Sequence, residues 1–366
     1  MTRLLVAAAA LALAAVLPAP AAPPSPHGAG SGPPAPATGL PLPAVTLTAT
    51  PVPLPGGEGG IGFDDLLFVP ELGRIVVPAG RTGNLDLVDP ATREVTAIGG
   101  FSAVSPAAEG HGAGTTSADY GRGLLFATDR TARKLVVVDP AAKKIVAKAD
   151  LAGSPDYVRW VAPTGEIWVT EPDGERIEIF SLPKSGPPVP RHAAFLPVPG
   201  GPESLVVDAG RGRAYANLWE KQSTLAIDVR ARSVALPLRN PCAGARGLAL
   251  DARRNLLFIG CAEGRAAALD LARGGALAGV FGRGSGVDII AYSPALGHLY
   301  LPGSKSSTLA VIGVSAKGAL GLLAVGVTAR GAHCAAADDR GGVWVCDPER
   351  GRLLRFEDKL PASGAG

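Results

Sequence analysis

The stretch GAHCAAADDRGGVWVC, residues 331–346, contains one of the five histidines of the chain and two of its four cysteines. Imidazole and thiolate groups bind metal ions, and a thiol in a suitable environment can also act as a nucleophile. Two cysteines on neighbouring strands could instead form a disulfide. His333, Cys334 and Cys346 are therefore candidates for a metal site, a reactive thiol or a cross-link.

The start of the chain has the features of an export signal. Arg3 precedes a long apolar run, and the small-residue site Ala-Pro-Ala follows at 19–21. We predict a signal peptide over residues 1–21 and a Pro-, Gly- and Ala-rich linker over residues 22–43. The mature protein would then be periplasmic or secreted, without a transmembrane segment, in a compartment that favours disulfides over free thiols.

Beyond residue 43 the chain repeats a pattern of short strands. With 49 glycines and 34 prolines, it has the composition of a chain with many turns, and its apolar runs are short and rich in Val, Leu and Ile. The second strand of each copy begins at a Gly or Asn, at intervals of 42 to 50 residues: Gly73, Gly123, Gly165, Gly212, Asn255, Gly297 and Gly342. Seven four-stranded units at this period predict an all-β fold, a seven-bladed β-propeller over residues 44–358.

The last copy lacks a fourth strand, because the pattern stops near residue 358. The segment AVTLTATPVPLP at 44–55 alternates like a strand and has no copy of its own. We therefore predict that it is the outer strand of blade seven, so that the N-terminal strand completes the last blade and closes the ring. Residues 359–366 are predicted to be a flexible tail, and the protein to be a monomer.

Strand register also suggests a role for the cysteines. A tight turn over 338–342 places Cys334 opposite Cys346, and Cys242 and Cys261 fall at the same end of the first hairpin of blade five. The chain has no C-x-x-C motif, which leaves zinc ribbons and thioredoxin-like sites without support. We predict the disulfides Cys242–Cys261 and Cys334–Cys346, with a metal site formed by the second pair and the adjacent histidine as the alternative.

The copy DYGRGLLFATDRTARKLVVVDPAAKKIVAK at 119–148 resembles the YVTN-type β-propeller repeat. The shared features are an apolar strand, an Asp-containing turn, a V-x-V-V-D-like strand and a basic return strand, and they extend over essentially all of 44–358. No copy keeps the full YVTN motif; the closest are FATD, WVTE and WVCD. The resemblance implies the fold and says little about function, because similar propellers act as binding scaffolds, electron-transfer subunits or lactone hydrolases.

One position in the repeat predicts a shared site at the mouth of the central channel. Nine residues before the start of the second strand, six of the seven copies carry an ionisable side chain: Asp64, Asp156, Glu203, Arg246, Asp288 and His333. Blade two has Gly114 there, but its longer loop contains His111 three residues earlier. Because this position precedes the innermost strand, we predict that these side chains form a ligand-binding rim.

The chemistry of this rim is open to two interpretations. Crowded carboxylates repel each other unless a cation, an arginine or backbone donors compensate. Oxygen ligands suit Ca²⁺, and an added imidazole favours Zn²⁺ or Mn²⁺. One prediction is therefore a divalent metal bound by Asp64, Asp156, Glu203, Asp288 and His333. The other is that the acidic groups only cap backbone N–H groups of the inner strands.

The sequence favours a binding module over an enzyme. It contains no G-x-S-x-G elbow, P-loop, H-E-x-x-H motif or dinucleotide fingerprint. Its 35 basic and 32 acidic residues are scattered without a basic stripe, which argues against nucleic acid as a partner. We predict an exported scaffold that presents a polar channel mouth to a protein or small ligand. The alternatives are a metal-dependent lactonase-like hydrolase and an electron-transfer partner subunit.

Overall fold

Seven small sheets arranged around an axis make up the fold. The computed structural model describes residues 45–105, 112–219 and 221–364. Hydrogen-bonded strands divide these residues into seven sheets of four or five strands. The innermost strand of each sheet contacts the innermost strand of the next, and the last contacts the first. The predicted all-β, seven-bladed propeller is confirmed.

Two short strands, β1 (Thr46–Leu47) and β2 (Thr50–Pro53), precede the first complete blade. Blade one contains β3 (Leu67–Val69), β4 (Arg74–Pro78), β5 (Thr82–Val88) and β6 (Val95–Ala103). Blade two contains β7 (Thr115–Gly121), β8 (Leu124–Asp129), β9 (Lys134–Asp139) and β10 (Lys144–Asp150). Blade three contains β11 (Val158–Val161), β12 (Glu166–Glu171), β13 (Arg176–Ser181) and β14 (Arg191–Pro197).

Blade four contains β15 (Val206–Asp208), β16 (Arg213–Leu218), β17 (Ser223–Asp228) and a divided outer strand, β18 (Ser233–Val234) and β19 (Leu238–Arg239). Blade five contains β20 (Ala245–Asp251), β21 (Leu256–Cys261), β22 (Arg265–Asp270) and β23 (Ala276–Gly282). Blade six contains β24 (Ala291–Ser293), β25 (His298–Gly303), β26 (Thr308–Val314) and β27 (Leu320–Val327). Blade seven contains β28 (Ala335–Ala337), β29 (Gly342–Asp347) and β30 (Arg352–Glu357), and two 3₁₀ turns occur at Pro172–Gly174 and Leu271–Arg273.

The turn before each second strand depends on a residue with left-handed backbone. The φ angle is 58° at Gly73, 80° at Gly123 and 61° at Asn255. Glycine reaches this region without steric cost and asparagine tolerates it, which explains the residue types that mark the repeat. In blade seven the left-handed residue is Gly341, with φ of 86°, whereas the predicted Gly342 is already the first residue of β29.

Apolar side chains fill the spaces between neighbouring blades. Val76 of blade one packs in one buried cluster with Leu125 of blade two, and Phe258 of blade five packs in another with Leu299 of blade six. Each sheet therefore buries both of its faces against its neighbours. Since burial of apolar area stabilises a fold by roughly 25 cal/mol per Å², the stability of every blade depends on the blades beside it.

The N-terminal strand closes the ring as predicted. β2 pairs antiparallel with β30, with Thr50 opposite Arg355. Val52 of β2 is buried in the same cluster as Trp344 and Leu353 of blade seven. One pairing differs from the prediction: β1 runs parallel to β27, so residues 46–47 extend blade six instead of blade seven.

Part of the segment after β30, where a flexible tail is predicted over 359–366, contacts blade six through Pro361 and Ser363. The buried ring of His298 in β25 contacts Asp358 Oδ2 through Nδ1 (2.7 Å) and the carbonyl oxygen of Pro361 through Nε2 (3.1 Å). The N–H group of Ser363 donates to a blade-six carbonyl at 2.7 Å. A buried imidazole needs partners for both nitrogens, and here the C-terminal segment supplies them.

The predicted signal peptide and linker, residues 1–43, lie outside the described residues and stay predictions. Within the part of the chain that the structure describes, no helix has the length and apolar character needed to cross a membrane.

Blade one contains a buried charge without compensation. Asp86 of β5 is fully buried, and among the described residues neither of its carboxylate oxygens has a hydrogen-bond partner. Transfer of an ionised carboxylate out of water without a partner is unfavourable. Burial accordingly raises the pKa of Asp86 to about 7.

We predict that Asp86→Asn gains stability relative to wild type as the pH rises. A carboxyl group whose pKa is higher in the folded than in the unfolded chain destabilises the fold as pH rises between the two values, here from about 4 to about 7. The asparagine variant lacks this loss. Its free energy of unfolding relative to wild type should therefore increase by up to ~4 kcal/mol across that window, measured by urea unfolding at a series of pH values.

The matched control is Asp150→Asn, which removes a carboxylate with an 86 % exposed side chain on β10. This variant should keep the pH dependence of wild type. If Asp86→Asn and wild type showed the same pH dependence, the carboxyl group of Asp86 would have to be solvated or paired in the folded protein.

Candidate functional site at the channel mouth

Two arginines bring four of the predicted rim carboxylates together in pairs. The first is Arg130, whose Nη2 lies 2.5 Å from Asp156 Oδ1 and 3.5 Å from Asp64 Oδ2. Its Nε also donates to the carbonyl oxygen of Pro155 at 2.7 Å. One guanidinium group thus joins the lead-in segments of blades one and three from a position in blade two.

The second pair lies on the opposite side of the mouth. Arg246 Nη1 lies 2.6 Å from Glu203 Oε1 and 3.8 Å from Asp288 Oδ2. The Cζ atom of Arg246 also lies 3.2 Å from the ring centroid of Trp219, in a cation–π arrangement. Arg246 was itself predicted at the rim. Its positive charge offsets the negative charges of Glu203 in blade four and Asp288 in blade six.

Backbone hydrogen bonds hold the main chain of the rim residues in place. The N–H groups of Asp156 and Glu203 donate to carbonyl oxygens of the second strands in their own blades, at 2.9 Å each. The carbonyl of Asp288 accepts from Gly247 of blade five, and that of His333 accepts from Ile289 of blade six. The backbone of Asp156 and Glu203 is thus held by their own blades, whereas that of Asp288 and His333 joins neighbouring blades.

Burial and mutual repulsion raise the pKa values of the rim carboxyl groups. Burial raises the pKa of Asp156 to about 6 despite the opposing charge of Arg130. Burial, followed by the charge of Asp156, raises the pKa of Glu203 to about 7. For Asp64 the same two causes raise the pKa well above its ordinary value. The mouth therefore gains negative charge as the pH rises through neutrality.

A cavity of about 220 Å³ opens between the two arginine groups. Its lining comes from blades two to five and includes Arg130, Ser154, Asp156, Asp173, Glu203 and Arg246. Three of the predicted rim residues, Asp156, Glu203 and Arg246, line this cavity, whereas Asp64, Asp288 and His333 are not part of its lining. His111, which was predicted for the same rim, lies outside the described residues.

Sequence reasoning missed Arg130 and Trp219. Both stand immediately after a second strand, since β8 ends at Asp129 and β16 ends at Leu218. Their side chains reach the rim residues of adjacent blades. A comparison of the residue that follows the second strand in each of the seven copies would have identified both Arg130 and Trp219, because the other copies have a small residue or proline there.

Sequence reasoning also missed a bidentate ion pair inside the channel. Arg159 Nη1 and Nη2 lie 2.5 and 3.0 Å from the two oxygens of Asp65, and Ser117 Oγ donates to Asp65 at 2.6 Å. Both charged residues line a second cavity of about 210 Å³ together with apolar side chains of the inner strands. Parallel N–H···O bonds of this kind are strong and rigid, so they stabilise the channel wall.

His333 occupies its rim position with its ring directed at backbone and sulfur atoms. Its Nδ1 lies 2.6 Å from the carbonyl oxygen of Gly331, and its Nε2 lies 2.8 Å from that of Phe63. The Sγ atom of Cys346 is 3.9 Å from Nδ1. His333 therefore connects the last blade to the segment that leads into the first blade.

One of the two predicted disulfides is present. Cys242 and Cys261 are bonded, with a Cα–Cα distance of 5.1 Å, and join the two ends of the first hairpin of blade five. The predicted register of blade seven is also confirmed, since Ala336 lies opposite Trp344. Cys334 and Cys346 nevertheless carry buried free thiols, which corrects the prediction of a bond between them.

The reason lies in the surroundings of the Cys346 sulfur. It accepts the backbone N–H groups of Cys334 at 3.2 Å and His333 at 3.4 Å, and so is directed at donors. Burial opposes ionisation, but a hydrogen bond from the Cys334 thiol and the charge of His333 lower the pKa of Cys346 well below its ordinary value. Burial raises the pKa of the Cys334 thiol.

Arg130 and Arg246 each contact two of the carboxylates that are predicted to bind a metal at the rim. Among residues 45–105, 112–219 and 221–364, one group of potential metal ligands lies close together. It consists of His333, Cys334 and Cys346, whose ligand atoms all lie within 4.8 Å of one another. The prediction that Asp64, Asp156, Glu203, Asp288 and His333 bind a divalent metal stays a prediction.

We predict that Arg130→Met destabilises the fold in a pH-dependent manner. The substitution leaves the buried carboxylates of Asp64 and Asp156 without their cation, which should lower the free energy of unfolding by ~3 kcal/mol at neutral pH. Protonation removes their charge, so the loss should shrink as the pH falls toward about 6, the pKa of Asp156 in the presence of Arg130. Urea unfolding at several pH values measures the effect.

The control is Arg330→Met, which removes an exposed ion pair with Glu349, where the side chains are 86 % and 62 % exposed. Exposed pairs contribute ~0–1 kcal/mol, so this variant should resemble wild type. Equal losses for the two variants, or a loss for Arg130→Met that does not change with pH, would contradict the compensating role of Arg130.

Solved structures with a similar fold come from unrelated systems. The mitotic checkpoint complex matches with 14 % identity over 88 % of this chain and 98 % of that chain, with a TM-score of 0.68. Hydrazine synthase of Kuenenia stuttgartiensis matches with 11 % identity over 82 % and 97 %, with a TM-score of 0.65. The β-propeller domain of Cps50 (Swd1) of Myceliophteria thermophila matches with 14 % identity over 82 % and 98 %, with a TM-score of 0.63.

No protein-family model matches the chain, and no curated protein matches it. At identities this low, likeness to solved structures shows the fold alone. The chain is a seven-bladed β-propeller, and its function has to be argued from the channel mouth.

Proposed function

We propose that the protein is an exported binding module whose channel mouth binds a positively charged group of a protein partner or small ligand. The observation that carries the proposal is the charge balance of the rim. Four carboxylates, those of Asp64, Asp156, Glu203 and Asp288, share two guanidinium groups. The fully ionised rim is therefore negative, and a cation is the complementary charge.

The arginines also prepare the carboxylates for a ligand. Arg130 and Arg246 fix the side chains of Asp156 and Glu203, which both line the cavity. Preorganised groups lose less conformational entropy on binding. The cavity volume of about 220 Å³ suits one side-chain head group or a small amine.

The proposal includes export and a YVTN-type repeat, both supported by the sequence. The basic residue, apolar run and small-residue site of residues 1–21 support a signal peptide. The copy at 119–148 supports the repeat assignment. The likeness of the fold to a chain of the mitotic checkpoint complex supports a scaffold role.

A metal-dependent lactonase-like hydrolase is the less favoured alternative. The carboxylates that would bind the cation already contact Arg130 and Arg246. A metal ion needs several of these oxygens as direct ligands, and it would have to displace the two guanidinium groups to obtain them. The electron-transfer alternative stays a prediction.

We predict that a short arginine-rich peptide binds the mouth, whereas a glutamate-rich peptide of equal length does not. The combined variant Asp156→Asn with Glu203→Gln should weaken binding at least about tenfold, because it removes charge from the cavity wall. Isothermal titration calorimetry at low and high salt measures the affinity, which should fall with salt.

Asp150→Asn, whose exposed carboxylate is not part of the cavity lining, is the matched control and should bind as wild type does. Binding of the glutamate-rich peptide with similar affinity, or full binding by the Asp156→Asn and Glu203→Gln combination, would contradict the proposed function.

The affinity for the arginine-rich peptide should increase between about pH 6 and pH 8. The raised pKa values of Asp156 (about 6) and Glu203 (about 7) mean that both groups lose charge as the pH falls through this range. Titrations across the range test this expectation, and an affinity that rises on acidification would contradict it.

A further inference from the structure

We propose that Cys334, Cys346 and His333 form a binding site for a thiophilic d¹⁰ cation, Zn²⁺ or Cu⁺, inside blade seven. Both thiols are fully buried, and the ligand atoms of the three residues lie within 4.8 Å of one another. The site is separate from the cavity of the proposed function, whose lining does not include these residues.

The backbone brings the two sulfur atoms together. The register of β28 and β29 places Cys334 directly opposite Cys346, and the N–H of Cys346 donates to the carbonyl of Cys334 at 3.1 Å. Strand pairing fixes this relation independently of any bond between the sulfurs. Two thiolates on facing strands can therefore bind one ion with little movement of the backbone.

The imidazole of His333 completes the set of ligands. Its Nδ1 lies 3.9 Å from Cys346 Sγ, and N and S ligands of one tetrahedral zinc ion are about 3.6 Å apart. A small rotation of either side chain brings the two atoms to that separation.

A second contact orients the histidine ring. Nε2 lies 2.8 Å from the carbonyl oxygen of Phe63, which can only accept, so this nitrogen carries a proton. A ring nitrogen that donates to a backbone carbonyl is the usual partner arrangement for a metal-binding histidine. By the same reasoning Nδ1 donates to the Gly331 carbonyl oxygen at 2.6 Å, and the sulfur of Cys346 lies 3.9 Å from it. A metal ion would therefore replace the proton on Nδ1 and break this hydrogen bond, so that metal binding releases a proton.

Ligand chemistry selects the class of ion. Two thiolates and one imidazole are soft or borderline ligands, which favour Zn²⁺ and Cu⁺ over Ca²⁺ or Mg²⁺. The rim carboxylates add a negative potential nearby, because Asp64 follows Phe63 and Asp288 precedes Ile289, whose N–H donates to His333. A cation entering through the mouth is therefore attracted toward the site.

The position of the site gives the ion a structural consequence. His333 lies between blade six, through Ile289, and the lead-in to blade one, through Phe63. Cys346 is on β29, the second strand of the last blade. An ion bound by both residues would connect three segments at the closure of the ring and should raise its thermal stability.

The first experiment measures binding to the full chain with its predicted signal peptide removed, reduced and freed of metal by chelation. Zn²⁺ and Cu⁺ are titrated in separate anaerobic arms, in competition with a chromogenic chelator. The expected result is one ion per chain in at least one arm, with a rise in Tm, and the tighter arm identifies the ion. Absence of stoichiometric binding in both arms would overturn the proposal.

Substitution then tests the ligands. Cys346→Ser, and separately Cys334→Ala combined with His333→Gln, should abolish the rise in Tm and weaken binding at least about a hundredfold. Glu349→Gln, which removes an exposed carboxylate of blade seven, is the matched control and should bind as wild type does. Circular dichroism of the metal-free proteins shows which variants fold, and a folded variant that retains wild-type affinity would overturn the assignment.

The thiol state of the protein is a further test, since the site requires both sulfurs as thiolates. Protein isolated from an oxidising compartment, denatured and alkylated without reductant, should yield alkylated peptides containing Cys334 and Cys346, while Cys242 and Cys261 remain linked. Recovery of a peptide pair joined through Cys334 and Cys346 would overturn the proposal.

Discussion

Each blade is stable only because the ring closes. The sheets bury apolar side chains on both faces, against the blade before and the blade after, so an open ring would expose two such faces to water. Pairing of β2 with β30 removes that exposure and places Val52 against the core of blade seven. The parallel pairing of β1 with β27 and the contacts of His298 with Asp358 and Pro361 add further links beside this closure.

Closure also creates the channel mouth and determines its electrostatics. The lead-in segments of seven blades converge there, which brings together carboxylates that are distant in sequence. Arg130 and Arg246 make this crowding tolerable, because each guanidinium group lies between two carboxylates. By contrast, Asp86 is buried between strands of blade one without such compensation. The unfavourable burial of carboxylates is thus offset by arginines at the channel mouth and left without compensation in blade one.

Much of the fold could be predicted because local rules repeat. A left-handed turn residue such as Gly73 or Asn255 marks every second strand, and the alternation of apolar residues marks the strands themselves. The rim position followed from the same alignment. The partners of the rim, Arg130 and Trp219, were missed because they belong to a different turn of a different blade from the residues they contact.

The sequence by itself determined the number of blades, the strand that closes the ring and the register that places Cys334 opposite Cys346, since these depend on period and alternation. Only the tertiary structure decided that these two cysteines remain thiols beside His333. Strand register alone does not direct the backbone N–H groups of His333 and Cys334 at Cys346 Sγ. It also decided that residues 46–47 join blade six and that the C-terminal segment packs against His298. Those contacts depend on distances between blades, which no local pattern encodes.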